Sequence, residues 1–168
     1  MLSGFLRFSG LQPGGLEFEV AVIIRTITPE DRAAWQGLWN GYLAFYDVTL
    51  SDTITESTWS RIAGGQGSFF ALVAEDKDGV VVGFAHCLMH LNTWDIEPRC
   101  YLEDLYVAGS KRGGGVGRAL IEAASAEARR LGANHLYWFT DAGNQTARNL
   151  YDRIGTLSDF VRYDKKLS

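Results

Sequence analysis

A run of glycines stands where a strand pattern gives way to a helix pattern. Residues 110–120 read SKRGGGVGRAL, and Gly113, Gly114, Gly115 and Gly117 fill four of five consecutive positions. At such a junction the first N–H groups of the helix have no backbone partner, and glycines let a ligand approach the main chain. Because the helix dipole and the flanking basic residues add positive charge, the stretch predicts a phosphate site. A turn that serves only the strand-to-helix geometry is the alternative.

Two common phosphate motifs do not fit this stretch. A P-loop needs Lys and then Ser or Thr after its second glycine. Gly109 and Gly114 have the required spacing, but Gly115 and Val116 follow them. A dinucleotide fingerprint starting at Gly113 needs a glycine at position 118, where the chain has Arg118. The sequence therefore disfavours both a P-loop nucleotide site and a dinucleotide site.

Composition limits the class of protein. The chain has 168 residues, 46% of them hydrophobic, which is enough for one domain with its own core. Its formal net charge of -4 disfavours broad nucleic-acid binding and suits a small cationic partner. With two cysteines and no apolar run of about 18 residues, we expect a cytoplasmic protein with no membrane contact. Residues 1–19 are expected to form an extension, flexible or loosely strand-like, and not a signal peptide.

The spacing of apolar side chains divides the chain into alternating strand and helix patterns. Strands are predicted over residues 21–26, 68–75, 80–91, 100–107, 135–140 and 160–165. Helices are predicted over residues 28–46, 53–63, 116–131 and 145–153. This order, β-α-α-β-β-β-α-β-α-β, predicts an α/β fold with a mixed sheet.

The glycine stretch also reads Arg-x-x-Gly-x-Gly from Arg112 to Gly117, which resembles the acyl-CoA-binding motif of the GNAT superfamily of N-acetyltransferases. Residues 144–151 (NQTARNLY) and 25–31 (RTITPED) resemble two further GNAT stretches, and the likeness covers about residues 21–166. It implies a single domain over residues 20–168. That domain would contain a mostly antiparallel sheet of about six to seven strands, with helices on both faces. Splayed central strands would form the acyl-CoA cleft. One departure is Gly155-Thr156, where the family usually has Gly-Phe.

The resemblance also implies a reaction and a set of site residues. Acetyl-CoA would be the acyl donor, and Tyr151 would be the acid that protonates the departing thiolate. The base would be Glu103, acting directly or through water. The positions implied to contact the cofactor are Leu105, Tyr106, Val107, Arg112, Gly113, Gly114, Gly115, Val116, Gly117, Arg118, Asn144, Ala147 and Tyr151. Gly113 and Gly114 lie at free positions of the motif and are expected only to loosen the turn.

Each side-chain assignment has a structural alternative. Tyr151 could be a core tyrosine of an amphipathic helix, and Asn144 could be a helix N-cap. Glu103 and Asp104 are neighbours on a strand and are expected to point to opposite faces, with Asp104 binding a cationic acceptor. Alternatively, one of the two faces solvent and the other pairs with an arginine. Tyr46, after the first helix, is expected to help frame the acceptor.

The segment YLED at residues 101–104 resembles the histone/polyamine and diamine acetyltransferase subgroup. That likeness implies a small polyamine-like or lysine-like amine as acceptor, and by analogy a homodimer. A protein or peptide amine is the alternative acceptor. An acyl-CoA-binding module without turnover and a nucleotide-binding protein that does not use CoA are the alternative functions.

Two pairs of residues could indicate a metal or redox site. His86 and His90 have H-x-x-x-H spacing, but four residues of a strand span about 13 Å, too far for one ion, so no metal is expected. The two imidazoles could line the acceptor cleft or simply pack. Cys87 and Cys100 are expected on adjacent antiparallel strands, close together and without a disulfide.

Overall fold

A computed structural model describes residues 6–7, 22–65 and 67–167, with the backbone alone at residues 6–7. Its strands are β1 (Leu6–Arg7), β2 (Val22–Thr26), β3 (Phe69–Asp76), β4 (Val81–His90), β5 (Arg99–Val107) and β6 (His135–Trp138). They form one sheet in the order of the chain, antiparallel throughout except for the parallel pair of β5 and β6. The predicted mixed, mostly antiparallel sheet is confirmed, at the lower end of the expected strand count.

The described residues form four helices. They are α1 (Arg32–Phe45), α2 (Asp52–Ala63), α3 (Val116–Arg130) and α4 (Gln145–Ile154), and a 3-10 turn at Pro29–Asp31 precedes α1. All four were predicted from sequence, with bounds that differ by a few residues. In the part of the chain that the structure describes, no helix is long and apolar enough to cross a membrane.

Helices cover both faces of the sheet. Phe84 on β4 packs with the aromatic residues of α1, including Trp39 and Tyr42. A side chain added at the neighbouring Gly83 would instead meet Leu120 of α3. Because successive strand residues point to opposite faces, α1 and α3 lie on opposite sides of β4. The core on the α1 face consists of Ile27, Trp35, Trp39, Ile62, Ala71, Val73 and Phe84.

The described chain divides into two compact units, the first ending at Trp138 and the second beginning at Phe139. In the second unit the predicted strand over residues 160–165 is wrong, because the structure has no strand there. Phe160, Val161 and Tyr163 are 85%, 74% and 91% exposed. A strand needs a neighbour to accept its hydrogen bonds, and the described residues of this unit contain no other strand.

An ion-pair cluster joins β2 and β3 to the start of α1. The guanidinium of Arg25 donates to both carboxylate oxygens of Asp31, at 2.7 and 2.8 Å, and to Glu75 at 2.9 Å. Asp31 also accepts the backbone N–H of Thr28 at 2.8 Å, which caps the 3-10 turn. The hydrogen bonds from Arg25 hold the pKa of Asp31 below its ordinary value. The cluster therefore fixes where α1 leaves the sheet.

We expect Asp31→Asn to lower the free energy of unfolding at pH 7 by about 2 kcal/mol, because buried charge-assisted hydrogen bonds are lost. A carboxylate whose pKa is depressed on folding stabilises the protein above its unfolded pKa of about 3.9. That contribution disappears as the pH falls through the folded pKa, so the two proteins should converge in acid. Urea denaturation at a series of pH values measures this, with the exposed Asp159→Asn as the charge-matched control. A difference that stays constant down to about pH 2 contradicts the assignment.

Candidate active site

Strand β5 contains a bulge at the predicted catalytic residue. His86 pairs with Asp104 while the next β4 residue, Cys87, pairs with Leu102. Glu103 is therefore the extra residue of a β-bulge, a feature common beside active sites. The expectation that Glu103 and Asp104 point to opposite faces assumed a regular strand. The bulge breaks that alternation, so the expectation is wrong.

Within the described residues, the edge of β5 that faces β6 is only partly paired. The pairing of the two strands ends at Leu102 and Trp138, whereas β5 continues to Val107. The N–H of Ala108 donates to Val82 of β4 at 2.9 Å, and hydrogen bonds alternate between the two edges of a strand. Consequently Tyr106 directs its backbone groups toward β4, and Leu105 and Val107 direct theirs to the opposite edge. The first unit therefore presents backbone donors and acceptors beside the bulge.

The glycine turn joins this edge to the N-terminus of α3. Gly113 and Gly115 have φ values of 80° and 82°, a left-handed conformation that favours glycine. Gly113 is thus required by the turn, which corrects the expectation that it only loosens it. The first helical hydrogen bond runs from the N–H of Ala119 to Gly115 at 3.0 Å. Because an α-helix leaves its first N–H groups without intrahelical partners, those of residues 116–118 can bind an anion.

The basic residues around the turn also hold it in place. Lys111 forms an ion pair with Asp76 at 2.8 Å. The Nε of Arg112 donates to the carbonyl of Val107 at 3.0 Å, and its guanidinium lies 5.3 Å from the ring centroids of Phe45 and Tyr106. Arg118 lies 3.8 Å from Glu122 and is about half exposed. Arg112 therefore ties the turn to the open edge of β5.

A series of side-chain hydrogen bonds joins α1 to β4 and to the bulge of β5. The hydroxyl of Tyr42 donates to Oδ1 of Asp104 at 2.5 Å, and Nδ1 of His86 lies 2.9 Å from Oδ2. The indole N–H of Trp35 donates to Nε2 of His86 at 3.0 Å. Tyr46, the predicted acceptor-framing residue, packs edge-on against Tyr42 with ring centroids 5.1 Å apart. Both carboxylate oxygens of Asp104, the predicted acceptor binder, thus accept hydrogen bonds from the protein.

The charges at the bulge affect the pKa of Tyr42. Burial raises the pKa of the Tyr42 hydroxyl, and the charge of Asp104 and the hydrogen bond to it raise that pKa further. The charge of Glu103 acts in the same direction. Tyr42 therefore stays protonated and keeps donating to Asp104. Both carboxylates of the bulge are close enough to act on one hydroxyl.

The second unit carries the remaining predicted residues. Asn144 caps α4, since its side-chain oxygen accepts the N–H of Ala147 at 3.2 Å. The helix-cap interpretation of Asn144 is therefore observed, and its contact with pantetheine stays a prediction. Tyr151 lies about two turns further along α4 and is half-buried. Its role as an acid also stays a prediction.

The histidines and cysteines have partners of their own. Nε2 of His90 lies 3.0 Å from the hydroxyl of Tyr137, and Nδ1 lies 2.9 Å from the carbonyl of Leu91. Cys87 and Cys100 lie close together on β4 and β5, as predicted, and a hydrogen bond between the thiols together with burial raises the pKa of Cys87. Within residues 22–65 and 67–167, no three His, Cys, Asp or Glu side chains are grouped as metal ligands.

Sequence reasoning found the turn and β5, and it allowed His86 to line the acceptor cleft, but it missed the hydrogen-bonded chain of Tyr42, His86 and Trp35 beside the site. The signal that could have identified these residues is that each has a polar group at the end of a side chain expected to be buried. Because buried polar groups are hydrogen-bonded, each of the three needed a partner inside the protein.

The chain is similar to known acetyltransferases. The family model described as Acetyltransferase (GNAT) family matches residues 32–156. D-amino-acid N-acetyltransferase HPA3 of Saccharomyces cerevisiae is 34% identical over 145 residues, 86% of this chain and 90% of the relative. An aminoglycoside N(6')-acetyltransferase type 1 of Stenotrophomonas maltophilia is 37% identical over 123 residues, covering 69% and 73% of the two chains.

A solved structure has the same fold. The aminoglycoside N-acetyltransferase AAC(6')-Iy in complex with CoA superposes with a TM-score of 0.74 at 22% identity. The match covers 86% of this chain and 94% of that one.

The geometry of the turn predicts that substitutions at different glycines have different effects on CoA binding. We expect Gly117→Val to weaken CoA binding at least about tenfold, or about 1.4 kcal/mol, because a branched side chain would crowd the exposed N–H groups of α3. Gly114→Ala is the matched control, because the added carbon would meet only the carbonyl of Lys111 at 3.5 Å. Titration calorimetry with CoA measures both affinities, and an equal loss in the two variants contradicts the assignment.

Proposed function

The chain belongs to the GNAT acetyltransferase family, and we propose that it transfers the acetyl group of acetyl-CoA directly to a primary amine. The favoured acceptor is a small polyamine-like or lysine-like amine. The observation that carries the proposal is the junction of the open β5 edge with the glycine turn and the N-terminus of α3. Residues 20–168 are proposed as the transferase domain of a cytoplasmic protein, acting as a homodimer by analogy with the subgroup that the YLED segment resembles.

The donor would bind along this junction. An extended chain of amides can pair with the outward backbone groups of Leu105 and with the outward N–H of Val107 as an added strand would. A pyrophosphate can accept from the N–H groups of residues 116–118, with positive charge from Arg112 and Arg118. Asn144, Ala147 and Tyr151 of the second unit are proposed as further contacts, on the basis of the GNAT resemblance.

The reaction moves two protons off the acceptor nitrogen and one proton onto the departing thiolate. A lysine-like ammonium has a pKa of about 10.4, so only about one molecule in a few thousand is neutral at pH 7. Glu103 takes the proton, directly or through water, and the amine nitrogen forms a bond to the thioester carbonyl carbon. The C–S bond then breaks, Tyr151 gives its proton to the thiolate, and the new amide nitrogen passes its second proton to the tyrosinate. Each proton transfer contributes a factor of about 10²–10⁴.

Charge favours a cationic acceptor. Glu103 and Asp104 bring two carboxylates to the bulge, and the side chain of Asp104 is only 14% exposed and has Tyr42 and His86 as hydrogen-bond partners. An ammonium group placed beside them would compensate a buried negative charge. Tyr46 would pack against the apolar part of such an amine.

A second candidate acceptor is the amino group of a free amino acid. It is favoured by the 34% identity to a yeast enzyme named as a D-amino-acid N-acetyltransferase over most of both chains. A protein or peptide amine and a module that binds acyl-CoA without turnover are the remaining alternatives.

Thiol release from acetyl-CoA in the presence of an amine panel tests the proposal. We expect release with a polyamine or lysine-like amine, slowed at least about tenfold in Tyr151→Phe because the acid is removed. Tyr163→Phe, 91% exposed in the same unit, is the matched control. Release with amino acids alone selects the second candidate. CoA binding without release from any amine selects the non-catalytic module, and no CoA binding contradicts the proposal.

The role of Glu103 has its own pH signature. We expect Glu103→Gln to slow transfer about 10²-fold at pH 7, because the ammonium loses its base. The deficit should shrink as the pH rises toward about 10, where the acceptor deprotonates in solution. Rates from pH 6 to 10, with the exposed Glu97→Gln as control, measure this. A deficit that is the same at every pH assigns Glu103 to binding rather than to proton transfer.

A further inference from the structure

The chain from Trp35 to Tyr42 fixes the hydrogen positions on His86. An indole N–H can only donate, so Nε2 of His86 must accept from Trp35 and carry no proton. The neutral ring then holds its proton on Nδ1, where it donates to Oδ2 of Asp104 at 2.9 Å. His86 is 2% exposed, and its ring stacks on Phe84 with centroids 4.4 Å apart. Neither the tautomer nor the ring plane is free to change.

Asp104 is held from two sides as a result. Its carboxylate accepts from His86 on the neighbouring strand and from Tyr42 on the helix above. His86 and Asp104 are also cross-strand partners in the ladder, at the last regular pair before the bulge. The side-chain hydrogen bonds therefore fix the position of β5 where the ladder itself is interrupted. Glu103 is the residue of β5 that immediately precedes Asp104.

We infer that His86 is a positioning residue for acetyl transfer: through Asp104 it sets the bulge that places the Glu103 carboxylate. The inference rests on the proposed function, because it gives His86 a part in that reaction. His86 touches neither acceptor nor donor in this account. Its effect passes through one hydrogen bond, from Nδ1 to the carboxylate of Asp104. Losing that donor leaves a buried carboxylate under-satisfied, which favours movement of the bulge toward water.

Two variants separate this hydrogen bond from packing. His86→Phe keeps a ring of similar size on Phe84 and removes the donor to Asp104. His86→Asn packs less well but carries an amide nitrogen on Cγ, the atom to which Nδ1 of histidine is attached. Both remove the acceptor for the Trp35 indole, so they differ mainly in the donor and in packing. His135→Phe, on an exposed histidine of β6, is the control.

We expect His86→Phe to lower kcat/KM for the amine at least tenfold, with CoA affinity within twofold of wild type and the loss mainly in kcat. His86→Asn should stay within threefold of wild type although it is the less stable protein by thermal unfolding. A role in packing alone predicts the reverse order. His86→Phe as active as His86→Asn, or losses that follow CoA affinity, would overturn the inference. If His86→Asn does not fold, Tyr42→Phe removes the other donor to Asp104 and must lower kcat in the same way.

A second readout does not depend on activity. Nitrogen NMR of histidine-labelled protein should show the neutral His86 ring protonated on Nδ1, and protonation on Nε2 would overturn the geometry. Thiol release by the wild type separates the two possible failures. No release with any amine refutes the proposed function, and the positioning role with it. Release that is unchanged in His86→Phe refutes the positioning role alone.

Discussion

The incomplete pairing of β5 is the constraint on which the rest of the site depends. The strand is hydrogen-bonded along its length to β4, which fixes its position, but its pairing with β6 stops at Leu102. The outward backbone groups of Leu105 and the outward N–H of Val107 are therefore held rigidly and lie beyond the pairing with β6, while the carbonyl of Val107 accepts from Arg112. The glycine turn follows at once, so an extended donor and its phosphates can bind one continuous run of main chain. Arg112 holds the two parts together through the carbonyl of Val107.

The bulge contributes two carboxylates, those of Glu103 and Asp104, beside this edge. A regular strand would have put Glu103 and Asp104 on opposite faces, whereas the extra residue breaks that alternation, and the charges of both carboxylates raise the pKa of Tyr42. Such an arrangement needs support, because a bulge weakens the ladder just where a catalytic group must be held still. The buried chain of Trp35, His86, Asp104 and Tyr42 supplies it, joining α1, β4 and β5 at distances of 2.5 to 3.0 Å. The aromatic residues of α1 thus serve both the core and the site.

Local signals in the sequence predicted most of the fold. Periodicity identified all four helices, and the glycines marked the turn, because both depend on residues close together in the chain. The bulge was not predictable, since it comes from the register of β4 against β5. Nor was the partner of Asp104, which lies 62 residues away in the sequence. The prediction of a strand over residues 160–165 was wrong because it used only a local pattern. Alternation describes a possible strand, but a strand forms only beside another strand. The residues alone predicted a phosphate site, whereas the family motifs predicted an acyl-CoA site and an acetyl-transfer reaction.

The central claim is that acetyl-CoA binds to the open edge of β5, and amide hydrogen exchange tests it residue by residue. Tyr106 directs its N–H to β4 and should exchange slowly with or without ligand, which makes it an internal reference. The amides of Leu105 and Val107 face the open edge, so saturating CoA should slow their exchange by an order of magnitude or more, together with the amides of residues 116–118. Protection of residues 116–118 without any change at Leu105 and Val107 would contradict the account.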